Sequence, residues 1–218
     1  MRLDLNRKPE GEWASFNEFC GKGDGVTKEW KTPIPADQAR SVLVMRDFEL
    51  LSTENRLVIK NEKDGTILRD DPDGYALETR GENELWVVLD QPLGREVELS
   101  VSGLGRQVGD AFKILPASTY LQQKIREKQP AIFRGPMKDR EKATQQDLQE
   151  GGRVSFEVFV VDWYGIKGGD DAPLPCDEKH KKVFLDQKDA QFFGIFAANR
   201  ASAIRAEQIH SHEKDSSD

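Results

Sequence analysis

Only two cysteines, Cys20 and Cys176, and three histidines, His180, His210 and His212, occur among the 218 residues of this chain. That stock excludes a disulfide framework, leaves too few ligands for a structural zinc site, and reads as two reduced thiols in a cytoplasmic protein. No run approaches the ~20 apolar residues of a membrane span. No basic-then-apolar leader opens the sequence, so the expectation is a soluble, unexported protein. Signature catalytic motifs are missing as well: there is no G-x-S-x-G elbow and no H-E-x-x-H helix. Gly21-Lys22-Gly23-Asp24-Gly25 is glycine-rich, but it has neither the order of a phosphate loop nor the third glycine of a dinucleotide loop, which leaves a β-turn. Asp70-Asp71-Pro72-Asp73-Gly74 resembles a calcium loop only superficially. With Gly74 in the glycine position, the first ligand would be the cation Arg69. Two of the histidines lie near the chain end, a poor place to hold a general base. With 39 acids present, paired carboxylates carry no signal. These absences point away from an enzyme, and no cofactor or metal is expected.

What is abundant is charge. Charged residues make up 33% of the chain against 37% hydrophobic, a polar balance for a globular protein. The apolar residues nevertheless come in periodic clusters, which argues against disorder, and the length suits one large domain or two small ones. The acidity is localised: Gly21–Gly103 holds 11 basic against 17 acidic residues, the first twenty residues carry −1, and everything after Gly103 balances to zero. A segment with its own charge suggests a module with its own surface. Arg106–Lys142 holds nine basic and four acidic residues, which reads first as a solvated helix face; a nucleic-acid partner is disfavoured.

The acidic segment has the pattern of β structure throughout. Short runs rich in β-branched and aromatic residues recur at Val26–Thr32, Ser41–Met45, Leu57–Lys60, Thr66–Arg69, Tyr75–Thr79, Leu85–Leu89 and Val97–Val101. Turn formers separate them, with Asp64-Gly65 the strongest hairpin signal, so an antiparallel sandwich or small barrel is expected. Val97, Leu99 and Val101 alternate with Glu98 and Ser100, predicting one wet face.

After Gly105 the character is helical. Pro116 suits a first helical turn, Ala117, Leu121 and Ile125 form one stripe, and Pro130 ends it. Ala131-Ile132-Phe133-Arg134 reads as extended, Lys138–Gln149 as polar with Thr144 a helix cap, and Asp177 as a cap for a helix from Glu178. Arg153–Ile166 fits both a strand and a helix. A last helix is expected from Asp189 to His212, with a stripe of Phe192, Phe193, Phe196, Ala197, Arg200 and Ile204, followed by a frayed polar end.

Both ends of the chain resemble a family of tailed bacteriophages, the tail assembly chaperone-like proteins. The residues that carry this are Met1-Arg2-Leu3-Asp4-Leu5 followed by Glu10-Gly11-Glu12-Trp13-Ala14-Ser15-Phe16 at one end. At the other they are Asp162-Trp163-Tyr164-Gly165-Ile166, Gly168-Gly169-Asp170 and Pro175-Cys176-Asp177. The match covers about Met1–Phe19 and Gly105–His212. The acidic segment between them departs from that family, and its Gly23-Asp24-Gly25-Val26-Thr27-Lys28-Glu29-Trp30, with the Thr32-Pro33-Ile34-Pro35 turn, resembles the G-D-G-x-T module of phage tail and fibre proteins. Arg46-Asp47-Phe48 stands where that module commonly has Asn-Gly or Asp-Gly.

The resemblance implies a helix over Arg153–Ile166, with Gly151-Gly152 at or before its start because mid-helix glycines cost about 1 kcal/mol each. The expected fold is α+β: a β-sandwich-like or small-barrel module over 21–103, inserted in a mainly helical discontinuous domain of 1–20 and 104–213, with a disordered tail at 214–218. The implied function is non-enzymatic binding of another tail protein during tail assembly, the tape-measure protein being first choice, in the host cytoplasm. The alternative is a virion component, a minor tail, neck or decoration protein docking through its β module. Partners are then other phage tail or virion proteins, a homo-oligomer being a further option and a membrane excluded. Trp163, Tyr164, Phe192, Phe193 and Phe196 are the expected partner-binding residues by a helix-in-groove mode, their rival role being core. A third reading, a nucleophilic Cys20 or Cys176, ranks last.

Overall fold

The short β-branched and aromatic runs of the first half become strands because each has an apolar side to bury and a turn former at its end. A computed structural model, described over residues 10–47, 49–51, 59–60, 67–69, 74–135 and 140–215, is an α+β chain that divides into two compact units. One is Ser15–Gly105; the other joins Met1–Ala14 to Arg106–Asp218. Strand β1 (Glu12–Phe16) contains the first point of division.

Unit Ser15–Gly105 holds β2 (Glu18–Lys22), β3 (Glu29–Pro35), β4 (Leu43–Arg46), β5 (Glu49–Leu50), β6 (Ile59–Lys60), β7 (Ile67–Arg69), β8 (Tyr75–Arg80), β9 (Glu84–Leu89) and β10 (Glu98–Ser102). One antiparallel sheet runs β2-β10-β4-β5 and another runs β3-β9-β8. Both feed one apolar core, with Val44, Leu99 and Val101 from the first sheet and Ile34, Tyr75, Leu85, Val87 and Leu89 from the second. Strand β2 begins ahead of the expected module start at Gly21, because its partner is β10. The two ends of the unit are tied by buried serines: Ser15 N donates to the Gly103 carbonyl at 3.1 Å, and Ser102 Oγ donates to the Ser15 carbonyl.

Three readings of this segment need correction. Thr32-Pro33-Ile34-Pro35 is not a turn but the second half of β3. As an edge strand it tolerates prolines, and its ladder skips from Lys31 to Pro35. The strand expected at Val26–Thr32 therefore starts later, at Glu29. The wet face expected on Val97–Val101 is only partly present: Glu98 is half-buried and ion-paired with Lys22, whereas Ser100 is buried. The Asp64-Gly65 turn, the Asp70–Asp73 run, Phe48, Met1–Leu5, residues 136–139 and the polar end at 216–218 lie outside the described residues. Strands β6 and β7, which flank Asp64-Gly65, pair antiparallel.

The second unit is built on helices α1 (Thr119–Lys128), α2 (Ala131–Arg134), α3 (Gln145–Phe159), α4 (Glu178–Gln187) and α5 (Ala190–Asp215). It also contains the sheet β1-β11-β12, with β11 at Asp110–Ile114 and β12 at Val160–Tyr164. Side-chain caps start α1, α3, α4 and α5. Thr144 and Asp147 form a reciprocal capping box on α3, Asp177 Oδ1 accepts from His180 N at 2.8 Å, and Asp189 Oδ1 accepts from Phe192 N at 3.1 Å. Helix α1 is capped by Ser118 rather than opened by Pro116, and Ala117 ahead of it donates its N–H to the Ala201 carbonyl at 2.9 Å. Ala131–Arg134 is one helical turn rather than extended, because the Arg134 guanidinium returns to the carbonyls of Glu127 and Gln129.

The expected helix over Arg153–Ile166 holds only to Phe159. From Val160 the β-branched run extends as β12 and pairs with β11. Lys181, buried, closes the helix end by donating to the carbonyls of Val160 and Glu157. Nor do Gly151 and Gly152 lie at the helix start; they sit in the middle of α3. The reason is contact. A Cβ on Gly152 would come 2.5 Å from Gln191 Cα, and one on Gly194 would strike the Gly152 backbone. The two helices cross where neither has a side chain, and the close approach outweighs the ~1 kcal/mol propensity cost.

Candidate functional site: a groove between two helices

At the glycine crossing of α3 and α5 lies an open groove of about 190 Å³. Leu148, Gly151, Gly152 and Ser155 line it from α3, and Gln191, Gly194, Ile195 and Ala198 from α5. Gln129 and Phe133 close the remaining side. Not one of these residues is charged, in a chain where a third of residues are. Ile195 is 45% exposed, and the Phe133 ring lies over Gly151 so closely that a Cβ there would sit 3.0 Å from it. Polar side chains fix one end of the groove. Gln149 Nε2 donates to Asp189 Oδ1 at 3.0 Å, and Gln191 N donates to Gln149 Oε1 at 3.2 Å. This site can receive apolar side chains; it offers no acid, base or nucleophile.

The groove stands on an aromatic core. Phe112 of β11 lies within ring contact of Phe156, Phe184, Phe193 and Phe196, with centroids 5.4 to 6.1 Å apart in edge-to-face geometry. Phe184 lies 5.6 Å from Trp163. Arg200 is fully buried in the same unit, its guanidinium carbon 5.7 Å from the Phe196 ring centre.

This core absorbs three of the five expected partner-binding residues. Phe193, Phe196 and Trp163 are buried, and Trp163 Nε1 donates to the Leu174 carbonyl at 2.6 Å, so none of them presents a surface to a partner. Phe192 is half-buried, its ring 5.3 Å from that of Phe193, and Tyr164 is 51% exposed. The five residues therefore do not form one site. What the sequence reading missed is the groove itself. Its available signal was small residues four apart on each helix, Gly151 with Ser155 and Gly194 with Ala198.

Strand β12, which carries Tyr164, is guarded against strand addition at its free edge. Asp162 Oδ1 accepts the Trp163 N–H at 2.9 Å, and Lys181 covers the Val160 carbonyl. Burial pushes the Cys176 thiol up to about 11. It pushes Cys20 up to about 12, the Glu18 carboxylate adding to the effect. Both thiols are therefore protonated at neutral pH and weak as nucleophiles. Among the described residues no group of three or more His, Cys, Asp or Glu could hold a metal ion, and no helix is long and apolar enough to cross a membrane.

In unit Ser15–Gly105 the Gly23-Asp24-Gly25-Val26-Thr27 run is a turn held by Asp24. Its Oδ1 accepts the N–H of Val26 at 2.8 Å and of Thr27 at 2.7 Å, while its Oδ2 accepts the Thr27 hydroxyl at 2.7 Å. Gly25 takes φ +83°, and Gly23 lies against the Leu93 and Gly94 carbonyls, where any side chain would collide. The turn presents Val26, 78% exposed, at its tip. No known protein family, curated protein or solved structure matches this chain.

Proposed function

We propose that this chain is a non-enzymatic bacteriophage protein that acts in tail assembly by holding a helical segment of another tail protein, the tape-measure protein being the first candidate. The ordered motifs at its two ends, which resemble the tail assembly chaperone-like family, support the phage assignment. The groove between α3 and α5 is the observation that carries the binding role. It is uncharged, spans about two turns of each helix, and suits the apolar face of an amphipathic helix. Phe192 is half-buried and Tyr164 exposed, and neither lines the groove.

A second reading, a virion component docking through its β unit, is favoured by one feature. Val26 is an apolar side chain held out by a turn whose backbone is pinned by Asp24. Mass spectrometry of purified particles against infected-cell lysate separates the two. An assembly factor appears in lysate and is missing from particles, whereas many copies per particle overturn that reading in favour of a structural one.

A further inference from the structure

We draw no further inference here: the strongest candidate, the cluster of Cys176, Asp177 and His180 at the N-terminus of α4, is a helix cap beside a lone thiol that burial keeps protonated, and nothing in the structure points to a ligand there.

Discussion

Unit Ser15–Gly105 and the helical unit hold their chains by different means. In the β unit, polar side chains fix the turns, from within at Asp24 and across long sequence separations at Asp47 and Asn83. Asp24 takes three hydrogen bonds, Asp47 accepts the Glu98 N–H at 2.8 Å, and Asn83 pairs with Asp37 at 2.8 Å. Its outer face is a ladder of ion pairs in which Arg80 bridges Glu29 and Glu78 and lies 4.9 Å above the Trp86 ring. Such exposed pairs contribute at most about 1 kcal/mol each. The helical unit instead concentrates its stability in rings and in one glycine crossing. Side-chain hydrogen bonds and ion pairs pin the first unit's turns and outer face, and ring packing with close backbone contact holds the second.

The largest effect expected from breaking that contrast is in the ring cluster. Phe156→Ala removes a fully buried ring that meets Phe112, Phe184 and Phe193, and should cost about 3–5 kcal/mol. Denaturant unfolding followed by residue-resolved NMR should show the transition of Phe193 in the helical unit moving while that of Val87 in the β unit stays. A shift of both together would contradict two separately held units.

Gly152→Ala comes next. In an exposed helix this change would add about 1 kcal/mol of stability. At the α3–α5 crossing the new Cβ strikes the backbone of Ala190 and Gln191, and a loss of about 1–3 kcal/mol is expected. Gly169→Ala, where a Cβ meets nothing within 4 Å, is the control and should be close to neutral. Equal behaviour of the two variants would remove the crossing from the account.

The smallest effect is a titration. Hydrogen bonds from Thr27 and Val26 hold the Asp24 carboxyl down at about 2, below the ~3.9 of an unstructured aspartate. Because the folded value is depressed, the stabilisation from this turn is complete above about pH 4 and fades as pH falls toward 2. Carboxyl NMR should place the Asp24 midpoint near 2, and an ordinary midpoint would mean that the turn is open in solution.

The range over which each interaction acts explains what could be read from the residues. Asp177 and Thr144 declared themselves as helix caps because a cap acts within three residues. Leu121 and Ile125 declared a buried stripe for the same local reason. Gly151 and Gly152 looked like a helix boundary, since the explanation for them sits on other helices, with Phe133 of α2 against Gly151 and the Ala190–Gln191 backbone of α5 against Gly152. Ser100 looked solvent-facing because nothing in β10 itself shows that its face is covered. The aromatic stripe of Phe192, Phe193 and Phe196 has the same period whether it lines a core or a groove, and the position of Phe112 decides the matter for two of the three. The groove was legible only as pairs of small residues, a pattern that many helix contacts share.

Ile195 offers the most direct test of the groove, because it lines it, is exposed, and should tolerate replacement within about 0.5 kcal/mol of stability. The full chain and its Ile195→Glu variant, both affinity-tagged and both checked for an unchanged circular dichroism spectrum, would be recovered from phage-infected cells and their bound proteins identified by mass spectrometry. A tail protein is expected on the unaltered chain, with roughly tenfold less of it on the variant. Equal recovery on both, or no tail protein on either, would contradict the binding role of the groove.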